Sequence, residues 1–118
     1  MRRCVFCRIV AGRAPAKVVR EWDYAMAFVP LNPVTEGHVL VVPREHLTDA
    51  LEYPWMTGRT FCAAATLAKE TGGACNLITS VGAAATQTIK HLHVHVVPRR
   101  EGDGLALPWT GQEVTDDK

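Results

Sequence analysis

The stretch from residue 87 to residue 99 reads Gln87-Thr88-Ile89-Lys90-His91-Leu92-His93-Val94-His95-Val96-Val97-Pro98-Arg99. Three histidines alternate there with apolar residues. Side chains at alternate positions of a β-strand point to the same face of the sheet. The pattern therefore predicts a strand that presents His91, His93 and His95 on one face and apolar side chains on the other. Three imidazoles in a row are not an ordinary solvent-facing pattern, so the row indicates a functional site.

The bulk composition is that of one ordinary globular domain, which we assign to residues 1–112, followed by a mobile acidic tail at 113–118. Hydrophobic residues make up 47% and charged residues 21% of the chain, which is typical of such domains. The net charge of +1 gives no electrostatic case for a nucleic-acid surface. A small substrate fits better, with Arg99 and Arg100 available for a phosphate. No targeting segment or membrane-spanning stretch is visible, so we expect a cytoplasmic protein.

The hydrophobic pattern predicts an α+β fold with a mainly antiparallel sheet of about five strands. The strand at 38–43 is apolar on both faces and is therefore expected to be central. Thr48 or Asp49 is expected to cap a short helical turn. The major helix is predicted from Thr60 to Thr71, and Gly72 and Gly73 end it. The other predicted elements are a short N-terminal helix ending near Gly12 and strands at 17–22, 24–29 and 75–81.

The four cysteines fall into two kinds. Cys62 and Cys75 stand in apolar surroundings and are expected to be buried, reduced thiols. Cys4 and Cys7 form a Cys-x-x-Cys turn, which is half of a tetrahedral zinc site. The other half would have to come from distant segments, with His46 and His91 as candidates. A Cys2His2 zinc finger is excluded because the segment between Cys7 and His91 far exceeds the roughly twelve residues of that motif. Two nearby cysteines in a reducing cell need not bind a metal, so both interpretations stay open.

The other two histidines of the row suggest chemistry at phosphorus. Neutral imidazole is a good nucleophile near neutral pH because its pKa lies near 6.5. Two imidazoles spaced two residues apart on one strand face lie roughly 7 Å apart. One of them can attack a phosphate while the other binds an oxygen or protonates the leaving group. Gln87 and Thr88 offer an amide and a hydroxyl to the same phosphate, or else simply cap the loop.

The row His91-Leu92-His93-Val94-His95-Val96-Val97 matches the His-x-His-x-His signature of the histidine-triad (HIT) family. The resemblance extends over nearly the whole chain, and it is closest to the zinc-containing branch with a Cys-Cys-His-His site. The motifs that carry it are the Cys4–Ile9 start, Asn32-Pro33, Gly37–Pro43, His46, Gln87, Pro98-Arg99 and the segment from Gly102-Asp103-Gly104-Leu105 to Pro108-Trp109.

The resemblance implies a HIT-like fold, a homodimer and a nucleotidyl hydrolase or transferase. Such an enzyme cleaves P–N or phosphoanhydride bonds of nucleotide-type substrates through a nucleotidyl-histidine on His93. His95, Gln87 and Thr88 would contact the phosphate and leaving group, and His38 would lie near the site without an assured role. A structural zinc would be held by Cys4, Cys7, His46 and His91. The implied substrate-binding residues are Phe6, Ile9, Phe28, Leu31, Asn32, Ser80 and Trp109, although Trp109 also fits as an aromatic side chain of its own chain.

The departures from the family pattern leave other functions open. Many relatives carry a ribose-binding acid where this chain has Pro30, an asparagine where it has Ser80, and a glycine where it has Thr86. The nucleoside shell is therefore altered around an intact triad. The alternatives are a non-catalytic nucleotide-binding or adaptor protein, an enzyme for a non-standard phosphorylated substrate, and a purely zinc-stabilised interaction module.

Overall fold

A five-stranded antiparallel sheet forms the centre of the computed structural model, which describes residues 3–111. The strands lie in the order β1-β2-β3-β5-β4. This architecture, with one major helix and a short N-terminal helix, confirms the α+β prediction, while the tail at 113–118 lies outside the described residues. In chain order the elements are α1 (Val5–Val10), β1 (Lys17–Glu21), β2 (Ala25–Val29), β3 (Val39–Pro43), α2 (Pro54–Thr71), β4 (Cys75–Ile78), a 3-10 turn (Ala83–Ala85) and β5 (Val94–Pro98).

Strand β3 is the central strand, as its two apolar faces predicted, and all five of its residues are buried. Val39 and Val41 face α2, where they join the larger core cluster. Leu40 and Val42 face α1 and pack in a second cluster around Phe6. Full burial of one such aliphatic side chain contributes about 1.5–3 kcal/mol, so burial on both faces fixes the register of β3. The site described below lies on the face covered by α1.

Helix α2 begins at Pro54, six residues before the predicted start at Thr60, and ends at Thr71 as predicted. Proline is tolerated at the first helical position because its missing N–H has no partner there. Met56 is buried with Leu47 and Leu92, and this packing stabilises a first turn that the sequence pattern did not indicate. Asp49, one of the two residues expected to cap a short helical turn, does so for a single turn. Its carboxylate accepts a hydrogen bond from the Leu51 N–H, and its carbonyl accepts one from the Glu52 N–H.

The two isolated cysteines are exposed, which corrects the expectation that both are buried. Cys62 lies off the buried face of α2, which is made by Met56, Thr60, Ala63, Ala64 and Leu67. Cys75 begins β4, an outer strand of the sheet whose only neighbour among residues 3–111 is β5. Apolar surroundings in sequence therefore did not translate into burial in either case.

The histidine row enters the sheet later than its alternation predicted. Strand β5 starts at Val94, so His91 and His93 precede it, and β4 ends at Ile78 instead of residue 81. The Leu92 N–H donates to the Leu47 carbonyl at 2.6 Å, outside the sheet ladder. Because the Leu92 side chain is buried with Leu47, the alternation of side chains persists where the ladder is absent.

Thr86 lies in the loop before the row with a φ of 72°, a left-handed conformation in which a β-branched residue is disfavoured. Replacing Thr86 by Gly is expected to raise the free energy of unfolding by about 0.5–1 kcal/mol, since glycine adopts this φ without a steric cost. Urea unfolding measures the change. Ala84→Gly in the adjacent 3-10 turn is the control and should lower the value, and a loss in both variants would contradict the prediction.

Candidate functional site

Four side chains from three parts of the chain meet at one end of the sheet. Cys4 and Cys7 come from the start of α1, His46 follows β3, and His91 precedes β5. Their ligand atoms all lie within 4.8 Å of one another. Cys7 Sγ lies 3.2 Å from His46 Nδ1, and Cys4 Sγ lies 3.4 Å from His91 Nδ1. The structure therefore brings together all four residues that the resemblance implied as metal ligands.

The donor set fits a tetrahedral zinc ion. Zn–S bonds of about 2.3 Å and Zn–N bonds of about 2.0–2.1 Å place tetrahedral ligand atoms roughly 3.3–3.8 Å apart, close to the distances seen here. His91 Nε2 donates to the Pro43 carbonyl at 2.9 Å, which leaves the Nδ1 lone pair directed at the cluster. Burial lowers the pKa of His91 to about 4, so its imidazole is neutral. Burial and then the neighbouring Cys4 raise the pKa of Cys7. A cation bound to the thiolate would lower this pKa again.

Phe6 connects the metal-binding cluster to the rest of the row. Its ring packs edge-on against Phe28, with centroids 5.3 Å apart. The same ring contacts His91 at 5.9 Å and His93 at 5.2 Å between centroids. Ile9 packs against the apolar cluster that contains Phe6 and Phe28. Three of the predicted substrate-binding residues, Phe6, Ile9 and Phe28, therefore belong to one apolar wall, which reaches His93 through the Phe6 ring. Phe6 and Phe28 are 4% and 2% exposed in this wall.

The hydrogen bonds of His93 define its tautomer. His93 Nδ1 lies 2.8 Å from the His91 carbonyl oxygen. A carbonyl only accepts, so Nδ1 carries the proton and Nε2 keeps a lone pair. The residue therefore presents a neutral nitrogen that can act as a nucleophile or as a hydrogen-bond acceptor.

His95 has the opposite arrangement because of His38. The Val34 N–H donates to His38 Nδ1 at 3.1 Å, so the His38 proton is on Nε2, which donates to His95 Nδ1 at 3.0 Å. The proton of His95 is consequently on Nε2. Burial, followed by the neighbouring His93 and His38, lowers the pKa of His95 to about 4, and burial lowers the pKa of His38. His38 had no assured role in the sequence analysis, where the available signal was a histidine directly before the apolar residues Val39–Val42.

The loop residues expected to contact phosphate lie in different environments. The Gln87 amide donates to the Thr48 and Ile89 carbonyls and accepts from the Gly82 N–H. Gln87 therefore holds the loop in place with all of these bonds made to backbone groups. Thr88 is exposed at the surface of the same loop.

The remaining predicted substrate-binding residues are spread around the row. Leu31 is 97% exposed and Trp109 56% exposed, and Asn32 is also exposed in the turn after β2. Ser80 lines a cavity beside His95. Pro30, between Phe28 and the exposed turn, provides no side-chain acceptor.

Arg99 is not available for a phosphate, contrary to expectation. Its guanidinium donates to both carboxylate oxygens of Asp103, at 2.9 and 3.1 Å, and to Asn76 Oδ1 at 2.7 Å. A fourth bond reaches the Leu105 carbonyl at 2.8 Å. The Arg99 guanidinium and then two backbone N–H groups hold the pKa of Asp103 well below its usual range. The pair is a structural ion pair that organises the segment after β5.

The comparisons with known proteins agree with this geometry. The HIT domain model matches residues 11–102. The chain belongs to the HIT family. It is 36% identical to an adenylylsulfatase of Arabidopsis thaliana over 94% of this chain and 58% of that protein. It is 31% identical to an adenosine 5'-monophosphoramidase of Saccharomyces cerevisiae over 98% of this chain and 75% of that protein.

A solved structure adds evidence on the metal-binding cluster. A zinc-bound histidine triad family protein from Mycobacterium smegmatis is 38% identical, with a TM-score of 0.76, over 89% of this chain and 81% of that one. Together with the four converging ligand atoms, this similarity supports assignment of the HIT protein to the zinc-binding branch. In the part of the chain that the structure describes, no helix is long and apolar enough to cross a membrane.

Removing a bound metal with a chelator is expected to lower the melting temperature by about 10 °C or more. The reason is that α1 has six residues, too few for a helix that is stable without tertiary anchoring. Differential scanning fluorimetry with metal analysis by mass spectrometry measures both quantities. Cys4→Ser should bind less metal and melt earlier, whereas Cys62→Ser, at an exposed position outside the cluster, should match the native protein. Equal melting temperatures with and without metal would contradict a structural role.

Proposed function

We propose that this HIT protein hydrolyses nucleotide-type substrates, with P–N bonds favoured over phosphoanhydride bonds, through a nucleotidyl-histidine on His93. The observation that carries the proposal is the pair of opposite tautomers. His93 presents a lone pair on Nε2, and His95 presents a proton on Nε2. The centroids of the two rings lie 5.2 Å apart, so both imidazoles can contact one phosphate. The activities named for the Arabidopsis and yeast relatives support the same class of reaction.

The first step forms a bond between His93 Nε2 and phosphorus. The P–N bond breaks, its electron pair goes to the departing nitrogen, and that nitrogen takes a proton from solvent while it accepts a hydrogen bond from His95 Nε2–H. The His91 carbonyl, which accepts from His93 Nδ1, stabilises the positive charge that develops on the attacking ring. The His38 Nε2–H holds His95 in the tautomer that donates.

The second step consumes water. A water oxygen attacks phosphorus and displaces His93, and the proton of this water passes to solvent, which restores the starting state. The products are a nucleoside monophosphate and an amine. Thr88 is proposed to contact the phosphate oxygens, with Gln87 fixing the loop that carries it. Phe6, Ile9 and Phe28 are proposed to receive the base, with Leu31 and Asn32 at its edge.

The metal ion is proposed to be zinc with a structural role. Bound to Cys4, Cys7, His46 and His91, zinc would supply cross-linking and no Lewis-acid chemistry. The cluster residue His91 contacts His93 through its backbone carbonyl and through the Phe6 ring, which packs against both imidazoles. Chelation is therefore expected to affect stability more than turnover at a temperature where the protein stays folded.

The direct test is intact-protein mass spectrometry after brief exposure to an adenosine phosphoramidate. The native protein should acquire an adenylyl adduct or release adenosine monophosphate and amine. His93→Ala should do neither, because it lacks the attacking nitrogen, and turnover should fall by a factor of about 1,000 or more. His93→Ala should keep its melting temperature and metal content. Equal turnover in the variant, or an adduct on another residue, would contradict the proposal.

A second candidate is a nucleotide-binding or adaptor protein that has lost turnover, or an enzyme for a non-standard phosphorylated substrate. Pro30 favours this candidate, since it replaces the acid that many relatives use for the ribose. A charge-assisted hydrogen bond contributes about 1.5–3 kcal/mol, so its loss weakens nucleoside binding about tenfold or more. A binder would retain ligand affinity in His93→Ala and show no adduct in either protein.

We also propose that the protein is a homodimer through α2 and the sheet edge. Strand β4 is an outer strand whose far edge has no neighbouring strand in the described chain, and such edges favour pairing. Trp109, 56% exposed, is proposed to reach the partner's site. Light scattering after size exclusion should give twice the 12.9 kDa of one chain. A monomer mass for the metal-loaded protein at micromolar concentration would contradict the dimer.

A further inference from the structure

The two thiols of the metal-binding cluster lie three residues apart at the start of α1. Cys4 caps this helix, and its Sγ accepts a hydrogen bond from the Cys7 N–H at 3.4 Å. The backbone of Cys4 is extended, so Cys4 can move toward Cys7 while α1 stays intact. The two Sγ atoms lie within 4.8 Å of each other. A Cys-x-x-Cys pair at the start of a helix is also the arrangement in which disulfide oxidoreductases form their disulfide.

These thiols differ from the other two in having a second thiol at hand. Cys4 and Cys7 are half-buried, so a small oxidant in solvent can reach them. Cys62 and Cys75 are exposed, and neither belongs to a comparable cluster among residues 3–111. A sulfenic acid that forms beside another thiol condenses with it to a disulfide, whereas an isolated one is open to further oxidation. The geometry therefore favours a disulfide at the cluster alone.

The same two thiols connect α1 to the rest of the site. Cys7 Sγ lies 3.2 Å from His46 Nδ1, which belongs to the segment after β3. The helix has six residues, too few to be stable without tertiary anchoring. Phe6 lies between the two cysteines, and its ring contacts the His93 imidazole with centroids 5.2 Å apart. A change in the bonding of the thiols therefore acts on the helix that carries one wall of the site.

We propose that Cys4 and Cys7 are a redox switch, in which a peroxide oxidises them to an intramolecular disulfide and the cluster releases its metal ion. A thiol that coordinates a metal is deprotonated, so the metal-loaded cluster holds the reactive thiolates. The disulfide removes both thiolates and leaves the imidazoles of His46 and His91 as the remaining donors of the cluster. Two donors do not complete a tetrahedral zinc site. Reduction by a dithiol restores the thiolates and lets the ion return.

Hydrogen peroxide balances the reaction as the oxidant. One thiolate attacks a peroxide oxygen, the O–O bond breaks and hydroxide leaves, which gives a sulfenic acid. The second thiolate attacks the sulfenic sulfur, forms the S–S bond and displaces another hydroxide. Two protons from solvent convert both hydroxides to water. The two thiolates lose two electrons in total, and the peroxide gains them.

The test treats the metal-loaded protein with hydrogen peroxide and follows metal, mass and melting temperature together. The chromogenic chelator 4-(2-pyridylazo)resorcinol should detect one metal ion released per chain. The intact mass should fall by two hydrogen atoms relative to the reduced apoprotein, and peptide mapping should find Cys4 linked to Cys7. The melting temperature should fall to that of the chelated protein. Dithiothreitol followed by zinc should reverse all of these changes.

A double variant, Cys62→Ser with Cys75→Ser, is the matched control. It removes the two exposed thiols and leaves the cluster unchanged, so it should release metal and form the disulfide like the native protein. Cys7→Ser should form no internal disulfide. If Cys7→Ser does not fold, the double variant decides alone, since Cys4 and Cys7 are the only thiols left in it.

A further readout rests on the proposed function. Because Phe6 packs beside His93, loss of the anchor of α1 should disturb the wall proposed for the base. The oxidised protein should hydrolyse an adenosine phosphoramidate with a KM about fivefold or more above that of the reduced protein, the lower end of ordinary coupling between two sites. The kcat value should change less, since neither cysteine is proposed to touch the reacting atoms.

The outcomes separate the switch from the proposed function. Sulfinic acid at Cys4 or Cys7 without a disulfide, a disulfide that leaves the metal bound, or oxidation confined to Cys62 and Cys75 overturns the switch. An unchanged KM in fully oxidised protein overturns its coupling to the site. Absence of hydrolysis by the reduced, metal-loaded protein overturns the proposed function, while the mass, the released metal and the melting temperature still decide the switch.

Discussion

The buried imidazole of His91 is the constraint on which the rest of the site depends. Its side chain is fully buried, and both ring nitrogens have partners from other segments. Nδ1 meets the two cysteines of α1, and Nε2 donates to Pro43 at the end of β3. Its carbonyl oxygen accepts the proton of His93. One residue therefore joins α1, the central strand and the row, and fixes which nitrogen of His93 is unprotonated.

The parts of the structure that could be predicted from sequence follow from short-range periodicity and ligand chemistry. Apolar residues on both faces predicted that β3 is the central strand. The alternation of the row predicted that its imidazoles lie together. Cys4 and Cys7 on one turn required further ligands, and the same two histidines that were candidates, His46 and His91, meet them in the structure. These predictions needed only the side-chain period of a strand and the coordination number of a metal.

The parts that could not be predicted depend on hydrogen bonds that hydrophobic periodicity and ligand chemistry do not indicate. Strand β5 starts late because the Leu92 N–H bonds to Leu47, a residue far away in the chain. Arg99 was expected to be available for a phosphate, but its guanidinium donates to Asp103 and to the Leu105 carbonyl. His38 acquired a defined tautomer only from a backbone N–H in the preceding turn. The Leu92 bond joins distant residues, whereas the Arg99 and His38 bonds join residues four apart in irregular segments, where side-chain periodicity indicates no partner.

The two sides of the row are built from different parts of the chain. The apolar wall next to His93 comes from α1 and β2, while the cavity next to His95 comes largely from β4, β5 and residues 105–107. Substitutions that remodel one side need not disturb packing on the other. An ancestral protein with this layout could therefore diversify in one half of its ligand while keeping the other half and the chemistry unchanged. The same separation lets a protein engineer exchange either wall as a module around a fixed pair of histidines.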